Sequence, residues 1–383
     1  MNIERERKDL TVLDNIEKLE PKYNELYKPL PSKKNIKFNF EKKPFMMGKE
    51  GILFEKKSLK GLKCYAIKLD EDSYGIMYYL DNYDKRFLDV FDCLTRKLLY
   101  RITDINGDSI KYIKALIDGT HYVTTFNNHY IIKIIKDIGY QVLYNIEMKG
   151  YLYLLHNEKI LSDDNNEYFS ILSLFEKDNN GIYKKTQEKQ ITYRRKYESY
   201  FFIQVRDNVI ATKDMDFIFF YEISTLNLIK KISYYSRLNQ LALLNETYLL
   251  VNSISGSANR FNLVDIDSME IIEYFTKDEK YDLKNGTKNS FFYEYDIVGS
   301  YNLPDGSVIL QMNSSYFGLS YHYIHLRWNE KEKEIYFTSQ LDKYFFLEIR
   351  NKTINNFIFF KDKNLLLVSC GDDDQKIYLY YKE

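Results

Sequence analysis

Short runs of alternating apolar and polar residues recur along the chain, and each ends in an aromatic or aliphatic residue, an acidic or polar residue and a turn. From Phe87 to Asp92 one such run passes through a turn into Lys97 to Tyr100. Phe217 to Glu222 leads in the same way into Asn227 to Lys230, and Phe261 to Asp265 into Glu270 to Glu273. These three stretches register without a gap. Looser copies run from Tyr130 to Ile135, Tyr168 to Glu176, Tyr323 to Asn329 and Lys376 to Tyr381. Alternation with period two predicts half-buried strands, and the polar break between them predicts a hairpin turn. Before each pair stands another strand, such as 208–214, 307–311 or 364–372, and one strand earlier an inner segment such as 200–205 or 356–360. The repeating unit is therefore four strands in the order inner, second, third, outer.

With Phe91, Ile135, Phe175, Tyr221, Val264, Trp328 and Tyr380 as equivalent positions, the spacings are 44, 40, 46, 43, 64 and 52 residues. The first four match the roughly 40–45 residues of a four-stranded propeller blade. A polar insertion at 277–289 accounts for the 64, and extra residues around 344–352 account for the 52. The expected fold class is all-β: a single closed β-propeller of seven four-stranded blades over 32–383, although the insertion leaves six and eight open. The last unit stops after its third strand, and an unpaired alternating strand lies upstream at 36–40. That strand is expected to complete the last blade and close the ring, which removes an exposed edge.

Residues 1–31 do not follow the repeat. Leu10, Leu13, Ile16 and Leu19 fall three apart among charges, as on one face of a short helix, and Pro21, Pro29 and Pro31 then enforce an extended connector. This N-terminal arm either packs on the side of the propeller or docks a partner through Leu10, Leu13 and Ile16. The run 28–60 holds ten Lys against three Glu, a solvated basic face or a contact for an acidic partner or RNA.

Composition narrows the function classes. Aromatics make up 16% of the 383 residues, with 37 Tyr and 25 Phe, which favours strand over helix. Lys+Arg and Asp+Glu are both 55; a dedicated nucleic-acid binder carries a basic surplus that displaces counterions from phosphate. Nucleic acid is therefore the less favoured partner. Cys64, Cys93 and Cys370 are too few and too scattered for a disulfide framework or a zinc site. No secretory signal opens the chain, and no apolar run is long enough to span a bilayer. Those features predict a protein of the cytoplasm or nucleus, not secreted and not inserted in a membrane.

The chemistry-bearing groups are sparse. Asp163 with Asp164, and Asp372 with Asp373 and Asp374, are the densest carboxylates, and both groups fall where turns between second and third strands are expected. Three residues apart on a strand, His322 and His325 point to opposite faces and do not form a metal pair. No catalytic constellation, phosphate loop, cofactor motif or metal motif is legible. Arg194, Arg195 and Lys196, flanked by Tyr193 and Tyr197, lie between an outer and an inner strand and so reach one rim of the ring. They are either a solvated loop or a contact for protein or nucleic acid.

The segment from Leu367 to Tyr380 resembles the end of a WD40 repeat, in which an Asp stands six residues before a Trp; Asp374 and Tyr380 hold those places here. The resemblance covers roughly 36–383 and is strongest in the last unit and in the one ending near Tyr221. It departs from the family in having no Gly-His pair and no Trp-Asp dipeptide, since Trp328 is followed by Asn. The resemblance implies a non-catalytic scaffold for other proteins, a subunit of a larger intracellular complex, with no cofactor. Two alternatives stand beside it: an enzyme with carboxylates and a His or Tyr converging on the channel, and an RNA-associated subunit of a ribonucleoprotein. Oligomeric state is open.

Overall fold

Two strands precede the repeats, β1 (Asn35–Phe40) and β2 (Lys49–Phe54), and from Leu62 onward the chain folds as antiparallel meanders. The first sheet is β3 (Leu62–Lys68), β4 (Ser73–Leu80), β5 (Arg86–Asp92) and β6 (Leu98–Ile102). The second is β7 (Ile110–Ala115), β8 (His121–Thr125), β9 (His129–Ile135) and β10 (Gly139–Ile146). The third is β11 (Tyr151–Leu154), β12 (Ile160–Asn165), β13 (Phe169–Lys177) and β14 (Tyr183–Thr192). The fourth is β15 (Ile203–Arg206), β16 (Val209–Lys213), β17 (Phe217–Glu222) and β18 (Leu228–Ser233). A meander of β19 (Arg237–Leu244), β20 (Tyr248–Ser255), β21 (Ala258–Asp265) and β22 (Glu270–Thr276) is followed by another of β23 (Tyr295–Asn302), β24 (Val308–Ser314), β25 (Tyr321–Asn329) and β26 (Glu334–Thr338). The last sheet holds β27 (Ile354–Phe360), β28 (Leu365–Cys370) and β29 (Ile377–Tyr381). This computed structural model describes residues 35–40, 49–54, 62–80, 86–135, 139–165, 169–192, 202–214, 217–233, 237–255, 258–276, 295–303, 305–314, 321–338, 354–360, 365–370 and 377–381.

The N-terminal strands correct one expectation. The strand at 36–40 does not complete the last unit. It lies as β1 between the outer strands β22 and β26, parallel to both, with Ile36 opposite Tyr274 and Phe38 opposite Ile335, and joins their two meanders into one nine-stranded sheet. The strand that pairs with the last unit is β2, antiparallel to β29, with Gly51 opposite Leu379. Alternation fixes which face of a strand is buried, not which open edge it joins. Several outer edges were available, and β1 satisfies two of them.

The core lies between sheets rather than within one. Ile67, Met77, Leu88 and Val90 of the first sheet pack against Ile110, Ile113, Val123 and Ile132 of the second. Leu161, Leu172 and Leu174 meet Phe202, Ile210 and Tyr221 of the fourth. Ala66, Tyr74, Ile76 and Tyr78 of the first sheet share a cluster with Ile358, Phe360 and Leu367 of the last. Third strands are buried on both faces for this reason, as in β13, whereas the outer strand β10 alternates between exposed and half-buried positions.

The sequence repeat has a concrete geometric basis. At Phe91, Phe175 and Tyr221 the ladder to the outer strand shifts by one residue, a β-bulge at the repeat's anchor position. The polar residue after the anchor then holds the turn. Asp92 Oδ1 accepts from Thr95 N at 2.7 Å, Asp265 Oδ1 from Ser268 N at 2.8 Å, and Asn329 Oδ1 from Glu332 N at 3.3 Å. The turn then closes on a left-handed residue: Arg96, Leu226, Met269 and Lys333 have φ of 60°, 56°, 51° and 55°. In the Arg96, Met269 and Lys333 turns a short Asp or Asn acceptor supports that backbone without glycine, whereas in the Leu226 turn the Glu222 carboxylate accepts from the Thr225 hydroxyl.

Candidate functional site

Three successive inner strands, β7, β11 and β15, line an open cavity of about 800 Å³. On β7 the sequence Ile110-Lys-Tyr-Ile-Lys114 departs from strict alternation. Ile110 and Ile113 are buried against the neighbouring sheet, and Lys111, Tyr112 and Lys114 are exposed. A one-residue shift of the β7–β8 ladder between Ile110 and Tyr112 makes this arrangement, because a bulge re-aims the side chains that follow it. Both lysines and Tyr112 thereby line the cavity.

The opposite wall is apolar and aromatic. Leu152, Tyr153 and Leu154 come from β11, and Phe202 precedes β15. The Tyr153 and Phe202 rings meet edge to face at 5.1 Å between centroids. Gly150 leads into β11 with φ of +85°, and a Cβ there would lie 2.1 Å from the Asp163 carbonyl oxygen, so the approach of this strand depends on glycine. Gln204, buried on β15, accepts from the His156 backbone N–H through its Oε1 and donates from Nε2 to the Asp207 carbonyl at 3.2 Å. One amide thus ties the third sheet to the fourth at the cavity wall.

The electrostatics have one sign. Lys111, Lys114 and His156 are the ionisable lining groups besides the two tyrosines, and no Asp or Glu is among the described lining residues. Lys114 reaches the cavity yet is ringed by protein, and burial holds its pKa below the ordinary lysine value. The Lys111 ammonium lies 5.1 Å from the centre of the half-exposed Phe126 ring, and the Arg86 guanidinium lies 5.1 Å from the same ring. Behind this platform Thr124 Oγ1 donates to Tyr122 Oη at 2.9 Å, and Tyr122 Oη is 3.0 Å from His129 Nδ1. Burial, with the Lys111 charge as the lesser cause, pushes the His129 pKa down. The arrangement favours a ligand that brings carboxylate or phosphate to the lysines and an apolar or aromatic group to the Leu152–Phe202 wall.

Most residues singled out from the sequence lie elsewhere. Leu10, Leu13 and Ile16, Arg194, Arg195 and Lys196, the insertion 277–289 and the triplet Asp372 to Asp374 all lie outside the described residues. Asp163 and Asp164 are not in a turn: both belong to β12, and the Asp163 side chain is buried. The position had read as a turn because consecutive aspartates and asparagines usually mark one. Asp214 does hold a turn, accepting from Phe217 N at 2.8 Å. His325 is buried with its Nε2 2.8 Å from Ser307 Oγ, which donates to Asp305 Oδ1 at 2.5 Å, a polar chain within one repeat. The cavity's lysines were missed by sequence reasoning. Their only signal is the break in alternation at Lys111 and Tyr112.

No protein-family model and no curated protein matches the sequence. Among solved structures, the β-propeller domain of Myceliophteria thermophila Cps50 (Swd1) is similar with a TM-score of 0.51 at 10% identity, covering 87% of this chain and 100% of that one. The computationally designed Ika8 protein gives 0.45 at 12% identity, over 86% and 99%. Kluyveromyces lactis Hsv2 gives 0.40 at 11%, over 76% and 97%. The fold argument rests on the first of these together with the repeated four-strand units: the fold of this chain is that of a β-propeller.

Proposed function

We propose that this chain is a non-catalytic protein-interaction scaffold, a subunit of a larger assembly in the cytoplasm or nucleus, built on a closed ring of seven blades. In such a ring β7, β11 and β15 line the axis, and their cavity is a docking site for an acidic segment of a partner protein. The observation that carries this reading is the composition of the cavity wall: two lysines and a histidine face aliphatic and aromatic side chains, with no carboxylate among the described lining residues. A channel enzyme working by general acid/base chemistry needs carboxylates or a matched acid and base at that place. An acidic, partly apolar peptide needs what this wall offers. Nucleic acid is the weaker match, because phosphates spaced along a strand call for a row of cations rather than two.

The test is a tagged pull-down from native lysate at low and high salt, read by mass spectrometry. The baits are the full chain, the chain without residues 1–31 and the Lys111→Glu/Lys114→Glu double variant. The expected result is a defined set of protein partners, strongest at low salt and weakened but not abolished at high salt because the apolar wall still contributes, that is lost or reduced with the charge-reversed cavity. Loss with the 1–31 deletion instead would move the docking surface to the arm. Recovery of RNA that disappears as salt rises would favour the ribonucleoprotein alternative, and recovery of no partner from any bait would overturn the scaffold reading.

A further inference from the structure

Between the third and fourth sheets, three oxygen-bearing side chains are almost wholly removed from water: Asp163 is 1% exposed, and Ser170 and Thr212 are 0% exposed. The Ser170 hydroxyl lies beside the Asp163 carboxylate and acts on its charge, but neither Asp163 oxygen, nor the hydroxyl of Ser170 or Thr212, meets a partner in hydrogen-bond geometry. Sheet register places all three on one interface. Asp163 stands opposite Leu172 and Leu161 opposite Leu174, so Asp163 shares the face of the leucines that pack on the fourth sheet. Ser170 lies two residues from Leu172 on the same strand and opposite Ile191 of the same cluster. Thr212 lies two residues from Ile210, which pairs with Tyr221, and both of these face back toward the third sheet. Successive residues of a strand alternate faces, so residues two apart share one.

An isolated carboxylate in such a place is costly, as are unpaired hydroxyls. Burial raises the Asp163 pKa, with the Ser170 hydroxyl opposing the rise and Asp164 adding to it. No lysine, arginine or histidine among the described residues forms an ion pair with Asp163.

We propose that Asp163, Ser170 and Thr212 hold one alkali-metal cation, sodium or potassium, between the third and fourth sheets. The donor set is all oxygen, which suits a hard cation and not a thiophilic or imidazole-seeking metal. The charge balance selects the valence. One carboxylate neutralises one positive charge, whereas a calcium or magnesium ion would leave a net charge buried. The two hydroxyls come from neighbouring sheets, so the ion would act as a tie between them, forming only when the sheets are in register.

Because the unfolded chain has no such site, the ion stabilises the folded state in proportion to the logarithm of its concentration. The experiment is thermal unfolding of the full chain in sodium chloride, potassium chloride and choline chloride at equal ionic strength, with a calcium chloride arm. The wild-type melting temperature is expected to rise with sodium or potassium concentration and to stay flat in choline, and the arm with the larger rise identifies the ion. Asp163→Asn and, separately, Thr212→Val should melt cooperatively without that dependence, the second covering the case in which the first does not fold. Equal melting in the sodium, potassium and choline salts would overturn the proposal. So would a dependence that survives in both variants, and so would a calcium response exceeding the alkali response.

Discussion

Two histidines of the second sheet couple stability to pH in a defined direction. His121 is buried on β8, and its ring nitrogens meet no hydrogen-bond partner; burial lowers its pKa, opposed by the Asp70 charge, the nearby Leu69 backbone and Asp118. His129 is lowered by burial and by Lys111. In both cases the folded pKa lies below the ordinary 6.5 of the unfolded chain. The unfolded state therefore binds protons first as the solution is acidified. Their contribution to stability is complete above about pH 6.5 and is lost as pH falls below it. Urea unfolding at pH 8, 6.5 and 5 should show a falling midpoint, and His121→Leu should flatten the fall; a midpoint independent of pH would refute it. Gly150 carries a second residue-scale prediction. With φ of +85° and a Cβ position 2.1 Å from the Asp163 oxygen, Gly150→Ala should cost about 2–4 kcal/mol, read as a drop in denaturant midpoint with unchanged slope. Neither residue announces this in the sequence: a histidine or glycine gives no local sign of what packs against it from a strand several residues away.

At the scale of elements, hairpins are the part of the fold that the sequence specifies most directly. Apolar alternation, an anchor and a short polar acceptor are all local signals, and the turn they describe is local too. Asp92 accepts from Leu94 N at 3.1 Å, Thr95 N at 2.7 Å and Thr95 Oγ1 at 2.8 Å. Asp92→Ala should therefore cost about 1 kcal/mol, since the site is exposed and water replaces part of what is lost. Arg96→Gly in the same turn should offset some of that loss by accepting the left-handed φ of 60° without strain. A double-mutant cycle measured by thermal unfolding checks both, and a destabilising Arg96→Gly would contradict the account. Within one sheet a different element test is available. Arg101 grips the buried Asp89 through Nε at 2.5 Å and Nη2 at 2.8 Å, and its guanidinium lies 4.6 Å from the centre of the Phe87 ring. Arg101→Met keeps the packing and removes the charge, and it should lower stability by about 1–2 kcal/mol because Asp89 is left buried and unpaired. Bulges were the less legible elements. A one-residue shift in a ladder, as at Lys111, needs both strands to be seen, and it decides whether a lysine faces a cavity or a neighbouring sheet.

For the whole molecule the question is what the N-terminal strands contribute, since local pattern cannot tell one open edge from another. The sequence shows a spare alternating strand at 36–40 and an incomplete last repeat, and joining the two is the economical inference. The fold uses two strands instead of one. Lys49–Phe54 is poorly marked, with its Gly51 and two leading charges, and yet it pairs with β29. The better-marked Asn35–Phe40 bridges β22 and β26. These placements give truncations distinct outcomes. Removing 1–34 leaves both strands and should yield a soluble chain with a single cooperative melt close to that of the full protein. Removing 1–44 deletes β1 alone. The outer strands β22 and β26 then present bare edges, each a template for another chain, and the expected product is soluble at low concentration but self-associates as concentration rises. Removing 1–54 also takes β2 from the last sheet, whose β27 packs beside β3 and whose Ile358 and Phe360 share a cluster with the first sheet. The melt should then broaden or split, because the first and last sheets lose a covalent link that brings them together and must meet by diffusion of the chain ends. Light scattering and calorimetry on the three truncations separate these cases. A cooperative, concentration-independent melt after removal of 1–54 would show that neither strand holds the edges together, and a self-associating 1–34 truncation would place a structural role in the arm itself.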